Sequence, residues 1–304
     1  MGKKKRRMWP EVPEALPYPV PDNHTHLPLH PGEIPSPEGV RPSLQQQLQW
    51  AREVNIPKVI TSACEVMDLN PALELAEAHP DQVRVSVAIH PNEAALHAGF
   101  TEKSPDGLEP KLEEYHSMSL DSAIGAVCDA AAHPLCVAIG ETGLDYFRTA
   151  EPGREAQKQA FAAHCEIAKA LDKPMQIHDR DAHADTISLL KTVGAPERTV
   201  FHCYSGDSEM AQILKENGWY ASFAGPITYK ANQGLRDALA VLPRELVLVE
   251  TDAPYLTPEP HRGSPNGSYV MAHTVRFIAQ QWEMPLEDAC RQLAENTYRV
   301  YGKW

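Results

Sequence analysis

The tripeptide His24-Thr25-His26 places two imidazoles two residues apart, just after a proline-rich start. Residues i and i+2 of a β-strand point to the same face, so both imidazoles can reach one metal ion. Asp22 falls on the same face, where its carboxylate could orient a ligating imidazole through the second ring nitrogen. The pair alone is equally compatible with two packed or surface histidines. The prediction of a metal site therefore depends on further ligands elsewhere in the chain.

Such residues follow several short apolar segments of the sequence. They are His90, Glu141, His178, His202 and Asp252. Imidazole nitrogens and carboxylate oxygens are common ligands of divalent cations. A single histidine after an apolar segment is usually a loop or core residue. The repetition of this pattern along the chain favours a metal site.

The choice of carboxylate near residue 250 stays open at this level. Glu250 and Asp252 are two residues apart, so in an extended strand both would point to the same side. Asp252 lies at the predicted exit of the strand, and we favour it as the ligand. Glu250 is the alternative.

Short β-rich segments alternate with helical segments along most of the chain. After the segment that contains His24 and His26, strands are predicted at 58–63, 83–89, 135–139, 175–177, 199–201, 219–223 and 246–249. Helices are predicted from residue 44, and at 70–79, 110–132, 154–171, 182–193, 209–217, 231–239, 269–281 and 286–301. Eight such units predict an α/β protein with a (β/α)8, or TIM, barrel. The strand exits of such a barrel meet on one face, which would bring the candidate ligands together.

We expect one barrel domain over residues 18–304, preceded by a flexible, basic and proline-rich segment at 1–17. No apolar run is long enough to span a membrane, and the six cysteines show no Cys-x-x-Cys spacing. These features favour a cytoplasmic protein with reduced thiols, and they indicate no membrane association and no obligate protein partner.

The chain has a net charge of -13, which argues against a broadly basic surface for nucleic acids. It does not exclude recognition through bound cations, because two divalent ions would offset four negative charges locally. The basic run at 3–7 could add a nonspecific phosphate contact, although a solvated tail is the simpler interpretation.

Seven motifs resemble those of the TatD family of metal-dependent deoxyribonucleases, and they extend over nearly the whole chain. They are Asp22-x-His24-x-His26, Ile89-His90-Pro91, Gly140-Glu141-x-Gly143-Leu144-Asp145-Tyr146, Ile177-His178-x-Arg180, Phe201-His202-x-Tyr204-Ser205-Gly206, Gly225-Pro226-Ile227-Thr228-Tyr229-Lys230 and Glu250-Thr251-Asp252-Ala253-Pro254-Tyr255-Leu256. The sequence departs from the family at two positions. Pro28 stands directly after His-x-His-Leu, where the family often has an acidic residue. Gly267 stands directly after Asn266, where the family usually has a glutamate. Both changes concern the rim of the site and its substrate preference.

The resemblance implies a two-metal site for Mg or Mn, with Zn also compatible with these ligands. His24, His26 and Asp252 would hold one ion, His178 and His202 the other, and Glu141 would bridge them. The implied catalytic residues are Asp252, Glu141 and His90. The residues expected to bind substrate are His90, Arg180, Tyr204, Lys230 and Arg262.

The implied reaction is hydrolysis of a phosphodiester by a metal-activated water, as in a 3'-5' exonuclease. The partner would be DNA, preferably single-stranded or with frayed ends, with RNA as an alternative. A rival reaction on the same barrel is hydrolysis of an amide, ester or lactone. Many such relatives bridge their metals with a carboxylated lysine, whereas this chain has Glu141 at that position. The chain also has basic side chains at the strand exits, and a neutral carbonyl substrate would not need them. A barrel that binds metal without catalysis is a third interpretation, which the full ligand set disfavours.

Overall fold

The structure is a computed structural model that describes residues 8–304, so the basic run at 3–7 lies outside the described residues. Eight parallel strands follow one another in chain order around a single sheet. They are β1 (Asp22–Thr25), β2 (Val59–Ala63), β3 (Val83–Val87), β4 (Cys136–Asp145), β5 (Met175–Arg180), β6 (Thr199–Phe201), β7 (Tyr220–Phe223) and β8 (Val247–Val249). The predicted (β/α)8 barrel is confirmed.

Helices lie between the strands and after the last one. They are α1 (Leu44–Glu53), α2 (Leu69–Ala78), α3 (Pro91–His97), α4 (Leu120–Ala131), α5 (Arg154–Ala170), α6 (His183–Val193), α7 (Ser208–Asn217), α8 (Gln233–Val241), α9 (Met271–Gln281) and α10 (Leu286–Tyr301). Within the described residues, no helix is both long and apolar enough to cross a bilayer.

The barrel is joined between its last and first strands just beyond β8. The amide of Asp252 donates to the carbonyl of His24 at 3.0 Å, and the amide of His26 donates to the carbonyl of Ala253 at 2.7 Å. These bonds hold the exit of β8 against β1. His24 and Asp252, which are more than 220 positions apart in the sequence, therefore become neighbours at the site.

The two ends of the barrel interior differ in polarity. The end away from the strand exits is filled by a small apolar cluster that includes Ile60, Ala138, Val200 and Leu248. Each fully buried aliphatic side chain contributes about 1.5–3 kcal/mol to folding. Polar side chains on the same strands lie nearer the exits, so the apolar end supplies stability and the other end can carry chemistry.

Strand β4 is longer than predicted. We expected it to end at Ile139, with Glu141 at its exit, but it continues to Asp145 and holds Glu141 within the strand. Gly143 allows this extension, because its φ is +139° and a Cβ there would lie 2.1 Å from the carbonyl oxygen of His178. The close approach of β4 to β5 at this glycine keeps Glu141 deep in the barrel.

The helical segments near residues 91 and 110 also differ from the prediction. The helix expected at 110–132 begins only at Leu120, where Ser119 Oγ caps it by accepting from the amide of Ser122. Helix α3 was not predicted. Pro91 starts it, and the side chain of His90 accepts from the amide of Asn92 at its N-terminus.

The described part of the N-terminal segment is packed against the barrel. Pro10 is buried and its carbonyl accepts from the hydroxyl of Tyr269 at 2.8 Å. Leu16 is 1% exposed and its amide donates to the carbonyl of Val54. These contacts hold Pro10 and Leu16 against the barrel, and the flexibility of residues 1–17 stays a prediction.

Candidate metal centre

The six predicted ligands converge at the strand exits, and Glu141 lies at their centre. Its Oε2 atom lies 2.9 Å from His24 Nε2 and 3.1 Å from His202 Nε2. Asp252 Oδ1 lies 3.9 Å from the same nitrogen of His24. We call His24, His202 and Asp252 with Glu141 Oε2 the inner group. Its donor atoms are close enough together to surround one cation.

The other carboxylate oxygen of Glu141 faces a second pair of histidines. Glu141 Oε1 lies 3.0 Å from His90 Nε2 and 3.3 Å from His178 Nδ1. We call His90 and His178 with Glu141 Oε1 the outer group, and these donors also lie within reach of a single cation. The two oxygens of one carboxylate thus face two separate sets of donors.

His26 lies at the edge of the inner group. Its Nε2 is 3.4 Å from Asp252 Oδ1 and 3.7 Å from Glu141 Oε2, and its side chain is 27% exposed. The structure places His202 beside His24, with ring centroids 4.0 Å apart, whereas the family resemblance implied that His202 shares an ion with His178. The division of ligands between two ions stays a prediction.

Gln176, a residue that the sequence did not single out, orients His24. Its side-chain amide donates to the carbonyl of Asn23 and to the hydroxyl of Tyr301, so its oxygen is the atom that faces His24 Nδ1 at 2.9 Å. His24 Nδ1 must therefore carry a proton, which leaves the Nε2 lone pair for a metal. A polar residue between Met175 and Ile177 in an apolar strand was the signal that could have revealed it.

The orienting role that we predicted for Asp22 is wrong. Its carboxylate accepts from the amide and the hydroxyl of Thr251, at 2.9 and 2.6 Å. Asp22 is fully buried, and burial raises its pKa to about 7. Asp22 therefore holds the backbone directly before Asp252, and Gln176 orients His24 in its place.

Two carboxylates orient the other ligating histidines. Glu250 Oε1 lies 3.3 Å from His202 Nδ1, and Asp145 Oδ2 lies 3.0 Å from His178 Nε2. In both cases the remaining ring nitrogen faces Glu141. Glu250 is fully buried behind His202, so the geometry favours Asp252 over Glu250 as the ligand.

His90 has the opposite proton arrangement. Its Nδ1 accepts from the amide of Asn92 at 3.1 Å, so a neutral ring carries its proton on Nε2. That N–H then donates to Glu141 Oε1. A protonated nitrogen cannot bind a cation, which supports the predicted role of His90 at the substrate over a role as ligand.

The charges within the site depend on one another. Burial opposes ionisation of Glu141, but His202, His178, His24 and His90 hold its pKa well below the usual range. The pKa of Asp252 is also lowered despite burial, chiefly by His26. Burial raises the pKa of Glu250 to about 8. The two carboxylates that face the donors are therefore ionised at neutral pH.

The donor set fits a divalent cation. Glu141 Oε2 is buried and has no hydrogen-bond partner among the described residues. In neutral rings, the tautomers that Gln176 and Glu250 favour leave lone pairs on the two nearest nitrogens, His24 Nε2 and His202 Nε2. Against the effect of burial, the hydrogen bond to Glu141 raises the pKa of His24 to about 10, so a cation that binds there displaces a proton from this ring. An ionised oxygen that faces two lone pairs in a buried site is stabilised by a cation between them.

A cleft of about 1340 Å³ opens above these ligands. Arg180, Tyr204 and His90 line it, as predicted for substrate contacts, although the Tyr204 hydroxyl donates to the carbonyl of Asp207. Lys230 and Arg262 are exposed and do not line this cleft; the guanidinium of Arg262 lies over the ring of Tyr229 at 4.2 Å. Their contact with substrate stays a prediction.

The sequence profile of the family described as TatD-related DNase matches residues 21–302. The chain belongs to this family. It is 39% identical over 189 residues to the uncharacterised metal-dependent hydrolase TatD of Mycobacterium tuberculosis, covering 60% of this chain and 70% of that protein. It is 27% identical to the uncharacterised metal-dependent hydrolase YabD of Bacillus subtilis, over 92% of this chain and 98% of that protein.

A solved structure supports the same assignment. The TatD homologue YJJV of Escherichia coli superimposes with a TM-score of 0.77 and 25% identity, over 94% of this chain and 98% of that chain. The family and the buried ligand set make this member a metal-dependent hydrolase.

Proposed function

We propose that the protein is a phosphodiesterase that cleaves DNA with two divalent cations, Mg or Mn in preference to Zn. The substrates would be single-stranded or frayed ends in the cytoplasm, cut in a 3'-5' exonuclease manner, with RNA as an alternative. The observation that carries this proposal is the position of Arg180. It follows His178 by two residues on β5 and lines the cleft.

Arg180 is available for an anion. Its guanidinium lies over the ring of Phe147 at 3.9 Å, and within the described residues no carboxylate is close enough to form an ion pair with it. Arg148, also in the cleft, is instead paired with Asp106 at 3.0 Å. A guanidinium can bind two phosphate oxygens at once, whereas a neutral carbonyl substrate would leave this cation unpaired.

The opposite side of the cleft is acidic. Its carboxylates come from the segments after β1, β2 and β3, and burial together with Glu65 raises the pKa of Asp68 to about 6. They are Glu33, Glu65, Asp68 and Glu93. A polynucleotide would be repelled from this side and attracted to Arg180. The arrangement supports entry of a chain end rather than passage of a strand through the cleft.

In place of the division expected from the resemblance, we follow the two groups: one cation would be held by His24, His26, His202 and Asp252 and the other by His178, with Glu141 shared. When bound, the cations lower the pKa of a water and offset phosphate charge. Asp252 is ionised and can accept the proton of the attacking water. The guanidinium of Arg180 can donate to phosphate oxygens, and His90 would act at the substrate once its Nε2–H leaves Glu141 Oε1.

The experiment that tests this function uses the purified, chelated protein with Mg, Mn or Zn added back singly. End-labelled single-stranded DNA, duplex DNA and RNA are compared with a panel of amides, esters and lactones, and Glu141→Ala serves as the inactive control. We expect shortened DNA products that need added metal and wild-type Glu141. Turnover of carbonyl substrates alone would replace the phosphodiesterase proposal with the rival hydrolase.

A further inference from the structure

Part of the cleft wall comes from outside the region that the family profile matches. Trp9 lines the cleft, although the matched region starts at residue 21. Its indole N–H donates to the carbonyl of Pro35 at 3.2 Å, and the next residue is held by the bond from the Tyr269 hydroxyl to the carbonyl of Pro10. Trp9 is thus fixed at the cleft by contacts on both sides.

We define the side pocket as the part of the cleft lined by Trp9, Leu29, Ile34, Gln47 and Gly267. It is next to the metal centre, because Leu29 follows His26 by three residues. On the other side, the side-chain amide of Asn266 donates to the carbonyl of Tyr255, close after Asp252. These five residues are uncharged, and the nearest carboxylate is that of Glu33, whose Oε2 accepts from the amide of Leu29 at 2.7 Å.

One departure from the family motifs, Gly267, lies in the side pocket, and the other, Pro28, directly precedes Leu29. Pro28 and Gly267 line the same cleft, at positions where the family often carries acidic residues. A Cβ at Gly267 would lie 3.4 Å from Gln47 Oε1, so the glycine leaves this oxygen uncovered. A side chain at residue 267 would therefore cover Gln47 Oε1 and press on the ring of Tyr269, whose Cε1 would lie 3.2 Å from the Cβ.

The side pocket also contains one polar atom without a hydrogen-bond partner among the described residues. Gln47 is 8% exposed, and its amide nitrogen donates to the carbonyl of Pro42, but within residues 8–304 no hydrogen bond reaches its Oε1. An amide oxygen without a hydrogen-bond partner in that part of the chain, in a cleft that an indole ring also lines, suits a flat ligand that has apolar faces and N–H groups on its edge.

We propose that the side pocket binds a nucleobase of the substrate, with the base against Trp9 and its edge toward Gln47 Oε1. This inference rests on the proposed phosphodiesterase function. A base in the side pocket would lie beside Glu33, and its adjoining phosphodiester would avoid that carboxylate by lying toward the metal centre and Arg180. The N-terminal segment is then part of substrate recognition in this chain.

The test compares a dinucleotide with a matched analogue in which a tetrahydrofuran replaces the base. The measurement is the ratio of kcat/KM for the two substrates. Trp9→Ala should lower this ratio about tenfold, as expected for loss of one base-stacking contact. Trp9→Phe should keep most of the ratio, and Gly267→Ala, which covers Gln47 Oε1, should lower it severalfold. The matched control is Trp304→Phe, far from the cleft, which should retain the wild-type ratio.

Thermal melting of each variant shows whether the fold is intact, and Gly267→Ala tests the side pocket even if Trp9→Ala does not fold. A wild-type ratio in every folded variant, or equal loss on both substrates, would overturn the nucleobase site. Failure of the wild-type protein to cut either substrate would instead overturn the phosphodiesterase function.

Discussion

The inner and outer groups share one carboxylate but differ in burial. In the inner group, the side chains of His24 and His202 are 0% and 3% exposed, whereas those of His90 and His178 in the outer group are 17% and 18% exposed. The inner histidines are held by Gln176 and Glu250, both deep in the barrel. We infer that the inner group is a rigid, preformed site for a cation, and that the outer group faces the substrate and solvent.

Loss of Glu141 should have the largest effect, because it is the one residue that both groups share. Glu141→Ala should abolish turnover and lower the metal content of both groups. Elemental analysis of the dialysed variant, beside the wild-type protein, measures this. Full occupancy of two ions in Glu141→Ala would mean that the groups are independent.

Asp252→Asn should have the next largest effect and should act through the inner group. The amide keeps the shape of the side chain but accepts a proton poorly, so kcat should fall roughly a thousandfold while the melting temperature changes little. Steady-state kinetics at saturating metal checks this. If kcat is near wild-type, Glu250 would be the carboxylate to test in its place.

Glu250→Gln and Asp145→Asn form a matched pair, one behind each group. Each should weaken metal binding about 10- to 100-fold, because the partner of a ligating histidine is lost. Glu250→Gln should affect the tighter of two binding steps in a metal titration, and Asp145→Asn the weaker one. Identical titration curves for the two variants would contradict the difference between the groups.

Arg180→Gln should have the smallest effect, since Arg180 contacts neither group. We expect KM for DNA to rise about tenfold with kcat largely retained, because one charge-assisted phosphate contact is lost. The dependence of binding on salt should also become shallower, as fewer counterions are released. Lys230→Gln and Arg262→Gln serve as comparisons on the rim, and unchanged kinetics and salt dependence in all three variants would favour a carbonyl substrate.

Much of this site could be predicted from the sequence because barrel strands alternate side chains in a fixed way. The two-residue spacing of His24 and His26 and the positions of His178 and His202 after apolar strands were sufficient to bring these ligands to one face. The extra length of β4 was missed, since it depends on how closely Gly143 approaches the backbone of His178. The residues around Gly143 do not by themselves predict how closely it approaches the neighbouring strand.

The sequence by itself determined the barrel, its parallel strand order and the residues that supply nitrogen and oxygen donors. Only the tertiary structure decided which nitrogen of each histidine is free, because the partners lie on other strands: Gln176 for His24, Glu250 for His202 and Asp145 for His178. It also decided that Trp9 belongs to the cleft. That contact joins the start of the chain to residues near 35 and 269, and side-chain packing over such sequence distances leaves no periodic signal.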